Sequence, residues 1–287
     1  MSLLKTTAEL EQWFAGTHRK NNTLGFVPTM GYLHAGHLSL IRKAKEENDL
    51  VVVSIFVNPT QFAPGEDFES YPRDIERDYK LASEAGADAV FHPSVSEIYS
   101  PGASTAVEVT GDLTKKLCGA SRPAHFKGVT TVVNILFNLV RPDRAYFGQK
   151  DAQQAVIIRK MVRDLHMPVN VVVCPIVREA DGLAMSSRNI YLNPEERREA
   201  VVLNRALGEA ENLLKRGTET GCSVEILRDL ITQKILASPL AQIDYAEILD
   251  AETLSPIESV LPGKSALAAV AVRFGKTRLI DNRILTV

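Results

Sequence analysis

Val27-Pro28-Thr29-Met30-Gly31-Tyr32-Leu33-His34-Ala35-Gly36-His37-Leu38 decides how the rest of the chain is read. It joins a short apolar strand over residues 24–28 to the start of a helix. In open α/β sheets ligands bind beyond the carboxyl ends of strands, where a helix N-terminus offers unpaired N–H groups to anions. Gly31 and Gly36 allow close approach of the backbone to a ligand. His34 and His37, three apart, project to one side of a first helical turn. Two imidazoles so placed can hydrogen-bond triphosphate oxygens and oppose charge that builds in a displacement at phosphorus. An isolated H-x-x-H is more often an ordinary cap-region pair, and as a zinc pair it lacks a nearby Cys or third His.

Beyond this stretch, apolar runs of strand length at 50–57, 87–91, 144–147 and 169–177 alternate with helical periodicity at 75–85, 129–139 and 152–165. Thr6 and Glu9 form a capping-box pattern ahead of a first helix. Alternation of this kind predicts a parallel sheet with helices on both faces. The unbroken run Val51-Val52-Val53-Ser54-Ile55-Phe56-Val57 fits strands buried on two sides. After Val177 the pattern changes. Asn193 is placed to cap a charged helix reaching Arg216, a second helix covers 224–236, and strands are expected at 244–249, 266–274 and 278–281. Gly275-Lys276 between the last two predicts a hairpin. The expected architecture is α/β: a Rossmann-like, doubly wound domain over 1–178 and a smaller α+β domain over 179–287.

The 287 residues suit two medium domains. A net charge of −2 gives no broad field for holding nucleic acid. The N-terminus lacks the basic and apolar segments of a signal peptide and no apolar run is long enough to span a bilayer, so no membrane association and a cytoplasmic location are expected. Cys118, Cys174 and Cys222 are odd in number and lack CxxC spacing, which predicts reduced structural thiols. Arg197 and Arg198 read as a solvated helix face.

H-A-G-H at 34–37 resembles the HIGH motif of the nucleotidyltransferase superfamily, and the longer string P-T-M-G-Y-L-H-A-G-H-L resembles the pantothenate synthetase family. Further strings similar to that family follow in order: Asn58-Pro59-Thr60-Gln61-Phe62, Tyr71-Pro72-Arg73, Arg122-Pro123-Ala124-His125-Phe126, Arg141-Pro142-Asp143, Tyr146-Phe147-Gly148-Gln149-Lys150-Asp151-Ala152-Gln153-Gln154 and Met185-Ser186-Ser187-Arg188-Asn189. The C-terminal third carries no diagnostic motif. Tyr32 stands where the family often has a smaller residue.

The resemblance implies a ligase that activates pantoate with MgATP as an acyl-adenylate, passes the acyl group to β-alanine, and works as a homodimer. It implies catalytic roles for His34, His37, Lys150 and Arg188. ATP binding would use Pro28, Thr29, Met30, Gly31, Tyr32, Leu33, His34, Ala35, Gly36, His37, Gly148, Gln149, Lys150, Asp151, Val177, Met185, Ser186, Ser187 and Arg188. Pantoate would meet Gln61 and Gln154, neutral amides that orient a carboxylate without quenching it, in a pocket with Asn58, Phe62 and Tyr71. Asp78 and Asp151 would serve the Mg2+ that accompanies ATP. A reactive adenylate must be kept from water, so the smaller domain is expected to close over the site. Without the resemblance, a loop lysine reads as solvated and Ser186–Arg188 as a linker. The rival readings are another HIGH-motif nucleotidyltransferase, an aminoacyl-tRNA synthetase, which a short chain without a basic surface disfavours, and a non-catalytic nucleotide-binding module on the same fold.

Overall fold

The structure is a computed structural model describing residues 1–17, 19–216 and 221–287. The chain forms two compact units: Met1–Thr114, Arg122–Gln149 and Ile157–Pro175 make the first, and Lys115–Ser121, Lys150–Val156 and Ile176–Val287 the second. In chain order the elements begin β1 (Ser2–Leu4), α1 (Thr7–Gly16), β2 (Leu24–Thr29), α2 (Ala35–Glu47), β3 (Leu50–Ile55), α3 (Ile75–Glu84), β4 (Ala89–Phe91) and α4 (Val95–Ile98). They continue with α5 (Cys118–Ser121), α6 (His125–Val140), β5 (Arg144–Gly148), α7 (Ala152–Asp164) and β6 (Asn170–Cys174). The last third holds α8 (Pro194–Glu199), α9 (Val202–Arg216), β7 (Cys222–Ser223), α10 (Val224–Leu236), β8 (Ala241–Asp250), β9 (Ser259–Val260), β10 (Ser265–Phe274) and β11 (Thr277–Thr286).

In the first unit six parallel strands lie in the order β1-β4-β3-β2-β5-β6. Val51, Val52 and Val53 of β3 are fully buried, so neither face of that strand reaches water. Each such side chain contributes roughly 1.5–3 kcal/mol. From β2 the chain builds out to β3 and β4 on one side, then crosses to β5 and β6 on the other. That reversal is the topological switch point at which α/β sheets bind ligands. β2 pairs with β5 only through Gly25 and Phe26, so the two strands have parted before Pro28, whose missing N–H breaks no bond on that side.

Differences from the sequence expectations have local causes. β1 is too short to show a period, and it forms the parallel edge beside β4. α6 starts at His125, ahead of the expected residue 129. A Cβ at Gly128 would lie 2.4 Å from the Thr60 carbonyl oxygen, so the glycine serves a close approach of helix and turn.

The second unit is built on an antiparallel sheet in the order β11-β10-β8. Ala268, Val270, Val272 and Phe274 of β10 share one core with Leu203, Leu207, Ala210 and Leu214 of α9 and Leu227 and Ile231 of α10. Gly275-Lys276 is the two-residue turn between β10 and β11. β11 extends well past the expected 278–281, since Asp281, Asn282 and Arg283 break the apolar alternation yet pair with Val270, Ala269 and Ala268. The single charged helix expected after Asn193 is two helices. The Asn193 capping box starts α8, and the chain breaks at Ala200 and Val201, both buried in the unit's core. Arg197 is not a solvated charge: it pairs with Glu179 at 2.6 Å and Asp181 at 2.8 Å. The thiols are free; Cys118 and Cys174 are buried, and burial pushes those of Cys174 and Cys222 up. No helix among the described residues is long and apolar enough to cross a membrane.

Candidate active site

The loop from Met30 to His34 leaves β2 at the switch point and is shaped by a carboxylate beneath it. Gly31 and Tyr32 both have positive φ, 84° and 49°. A Cβ at Gly31 would crowd Asp78 Oδ2 at 3.0 Å and Ile55 Cγ2 at 2.9 Å, so glycine is required there. Asp78 accepts the Tyr32 N–H at 2.6 Å and the Leu33 N–H at 2.7 Å. Arg77 donates to the Leu33 carbonyl at 2.8 Å and lies 4.8 Å from the centre of the Tyr32 ring. The bulk at position 32 is thus placed on a guanidinium, and the left-handed backbone is held by two charge-assisted bonds. Burial pushes the Asp78 carboxyl above its ordinary range, against the opposing effect of the Leu33 and Tyr32 N–H groups and the Arg77 charge.

Asp78→Ala would strand two backbone donors, and the expected cost is about 2–4 kcal/mol of stability together with a disordered loop. Denaturant unfolding checks it. A shift under about 0.5 kcal/mol, the range of ordinary surface changes, would mean that the two N–H groups have other partners.

At the start of α2, His34 is the N-cap, and its Nδ1 accepts the Gly36 N–H at 3.1 Å. His37 closes the capping box, its Nδ1 accepting the His34 N–H at 3.3 Å, and the two ring centres stand 4.0 Å apart. A nitrogen that accepts such a bond is unprotonated, so each neutral ring carries its proton on Nε2. The pair therefore combines a helix N-terminus with two imidazole N–H donors, the equipment for an anion.

Asn58, Gln61, Phe62 and Tyr71 come together after β3. Asn58 is buried; its Oδ1 accepts from Thr60 and from the Tyr99 hydroxyl at 2.8 Å, and its Nδ2 donates to Gln61 Oε1 and the Gly128 carbonyl, each at 3.2 Å. The Gln61 amide donates to Met30 Sδ at 3.0 Å, which sets it against the loop. Phe62 packs edge-on against Tyr71 and Phe68.

Arg122 and His125 clamp the same turn, a function that reading the sequence assigned to neither residue. Both donate to the Gln61 carbonyl, at 3.2 and 2.9 Å, and Arg122 also pairs with both oxygens of Glu66. Burial would raise the Glu66 carboxyl, but the hydrogen bonds and charge of Arg122 outweigh it and hold the group below its ordinary range. The sequence set Arg122 and His125 in one of the strings similar to the pantothenate synthetase family but gave no sign of their partner.

The second unit carries Lys150, Asp151, Gln154 and the segment from Val177 to Asn189. Lys150 Nζ stands 3.8 Å from Asp151 Oδ2. Val177 and Met185 close a hairpin through a 3.0 Å backbone bond, and Arg178 and Ala184 bridge it. Ser186 then caps the turn of Ser187–Tyr191 by accepting the Arg188 N–H. Asn189 ties that turn back to Glu179 and the Ala184 carbonyl. Gln154 lies half-buried in the first turn of α7. Leu33 differs from the other loop residues in having its side chain wholly in the core. Among the described residues no cluster of three or more His, Cys, Asp or Glu could hold a metal ion.

Known proteins match this arrangement along its whole length. The family model described as Pantoate-beta-alanine ligase covers residues 2–284. The pantothenate synthetase of Heliobacterium modesticaldum is 57% identical over 287 residues, covering 100% of both chains. That of Thermotoga neapolitana is 55% identical over 285 residues, covering 99% of this chain and 100% of the relative. The crystal structure of the Thermus thermophilus pantothenate synthetase superimposes with a TM-score of 0.91 at 50% identity, covering 99% of each chain. A Francisella tularensis pantoate-beta-alanine ligase, solved in complex with beta-gamma ATP and β-alanine, gives 0.79 at 33% identity over 99% of this chain and 97% of its own. With the family model spanning residues 2–284 and relatives more than half identical along their whole length, the chain belongs to the pantoate-β-alanine ligase family.

Proposed function

We infer that the amide bond between pantoate and β-alanine, which defines this family's reaction, is made here in two steps through a pantoyl-adenylate. The observation that carries the reading is the His34–His37 cap, two neutral imidazoles with Nδ1 committed to the backbone and a proton on Nε2 at a helix N-terminus. ATP as substrate is supported by the complex of the Francisella tularensis ligase.

In the first step a pantoate carboxylate oxygen bonds to the α-phosphorus and the bond from that phosphorus to the bridging oxygen breaks, releasing pyrophosphate. His34 and His37 donate to the phosphate oxygens, the Lys150 ammonium and Arg188 guanidinium oppose the growing negative charge, and Ser186 and Ser187 supply hydroxyls. Gln61 and Gln154 orient the pantoate carboxylate in a pocket with Asn58, Phe62 and Tyr71. In the second step the free amine of β-alanine attacks the acyl carbon, the bond from that carbon to the phosphate oxygen breaks, AMP leaves, and the amine's proton passes to solvent. No residue need carry the acyl group, so the chain's contribution is positioning and electrostatics.

Magnesium enters as part of the MgATP substrate. Asp78 already spends both oxygens on the loop, so its service to the metal is to hold that loop, while the exposed Asp151 can reach it directly or through water. A cytosolic homodimer completes this reading, and sedimentation at micromolar concentration tests the dimer.

The test of the two-step scheme is isotope exchange. With pantoate and Mg2+ but no β-alanine, labelled pyrophosphate should pass into ATP. Exchange that requires β-alanine would overturn the separate adenylate, and ADP in place of AMP would point to an acyl phosphate.

A further inference from the structure

We propose that Asp281 and Asn282 of β11 are positioning residues for the first step, holding the Lys150 turn and the Ser186-Ser187-Arg188 segment in fixed relation from opposite faces of one strand. The proposal rests on the phosphate roles given above to Lys150 and Arg188. Neighbouring strand residues point to opposite faces. On one side Asp281, almost wholly buried, receives both Arg178 guanidinium nitrogens, at 2.6 and 3.0 Å. Arg178 in turn donates to the Gly182 carbonyl at 3.1 Å and sits in the bridge to Ala184. That ion pair fixes the hairpin from which Ser186 emerges. On the other side Asn282 donates from Nδ2 to the Lys150 carbonyl at 2.9 Å. The two anchors are also tied to each other, since the Asn282 N–H donates to Asp281 Oδ1 at 2.7 Å.

A buried strand position ordinarily takes an apolar β-branched residue. A carboxylate and an amide here carry a desolvation cost, and the bonds that offset it run to the backbone of Lys150 and to the root of the Ser186–Arg188 turn. The Lys150 main chain is where that side chain originates, so a shift of the carbonyl moves the ammonium with it. Misplacement by about 1 Å is enough to slow a positioned reaction by up to ~10²-fold.

The experiment is a double-mutant cycle with Asn282→Ala and Lys150→Ala, read by kcat, by KM for ATP and for pantoate, and by affinity for a non-hydrolysable ATP analogue, with Tm measured in parallel. Asn282→Ala is expected to lower kcat/KM for ATP about tenfold or more, to leave KM for pantoate within about twofold, and to lose most of that effect once Lys150 is already alanine. Asn282→Asp, which keeps the volume but sets an oxygen against the Lys150 carbonyl, should reproduce the loss if the alanine variant does not fold. Independent, multiplicative losses in the double mutant, or equal losses for ATP and pantoate, would make Asn282 merely structural and overturn the proposal. If Lys150→Ala alone is without effect, the phosphate role of Lys150 is what fails, and the positioning proposal falls with it.

Discussion

Lys150→Ala is expected to lower turnover by roughly 10²- to 10³-fold, the range for removing one preorganised group that opposes transition-state charge. The carboxylate oxygen in its ion pair is 3.8 Å away, at the outer limit of such a contact, so little of the ammonium's charge is spent on that carboxylate. Its backbone is anchored by Asn282, which fixes the root of a flexible side chain. Charge held loosely on a well-fixed stem suits a triphosphate, whose own charge then determines where the ammonium settles. Lys150→Met keeps most of the stem and removes only the charge, so it should fail almost as badly as alanine. Both variants are checked by steady-state kinetics and by nucleotide affinity, and survival of both quantities would remove Lys150 from the chemistry.

How much of this was legible depended on the range over which each feature is encoded. The parallel sheet could be read because runs such as Val51-Val52-Val53 carry their double burial in composition alone. The loop at 30–37 could be read because its glycine and histidines are local: Gly31 answers to a positive φ, and His34 and His37 answer to each other across one helical turn. Contacts that close over long separations were not legible. Asp78 reads as a metal ligand in the sequence, since nothing there shows that Tyr32 and Leu33, some forty-five positions earlier, take up its oxygens. Arg122 and His125 gave no sign that they would meet the Gln61 carbonyl more than sixty residues back. Arg197 reads as solvated because its partners Glu179 and Asp181 lie on a hairpin that no periodicity announces. Polar residues inside β11 cut the expected strand short at 281 for the same reason: Asp281 and Asn282 meet Arg178 and Lys150, about a hundred or more positions earlier.

His37→Ala is expected to cost roughly 10²- to 10³-fold in turnover as well, but this substitution removes two things. The Nδ1 of His37 accepts the His34 N–H, so alanine also opens the capping box, a loss of about 1 kcal/mol of stability. His37→Asn separates the two effects. Its amide oxygen can take the place of Nδ1 and keep the cap, while nothing reaches as far as Nε2–H. If His37 acts on the phosphates, the asparagine variant should regain the lost Tm and remain about as slow as alanine. His37→Gln puts an amide near the Nε2 position and should recover part of the turnover, while its oxygen, as glutamine does at the third position of a capping box, can also restore the bond to the His34 N–H and part of the Tm. A helix-capping role alone predicts instead that asparagine, once it restores the Tm, restores the turnover as well. Thermal unfolding and kinetics on these three variants therefore decide whether His37 serves the nucleotide or only the start of α2.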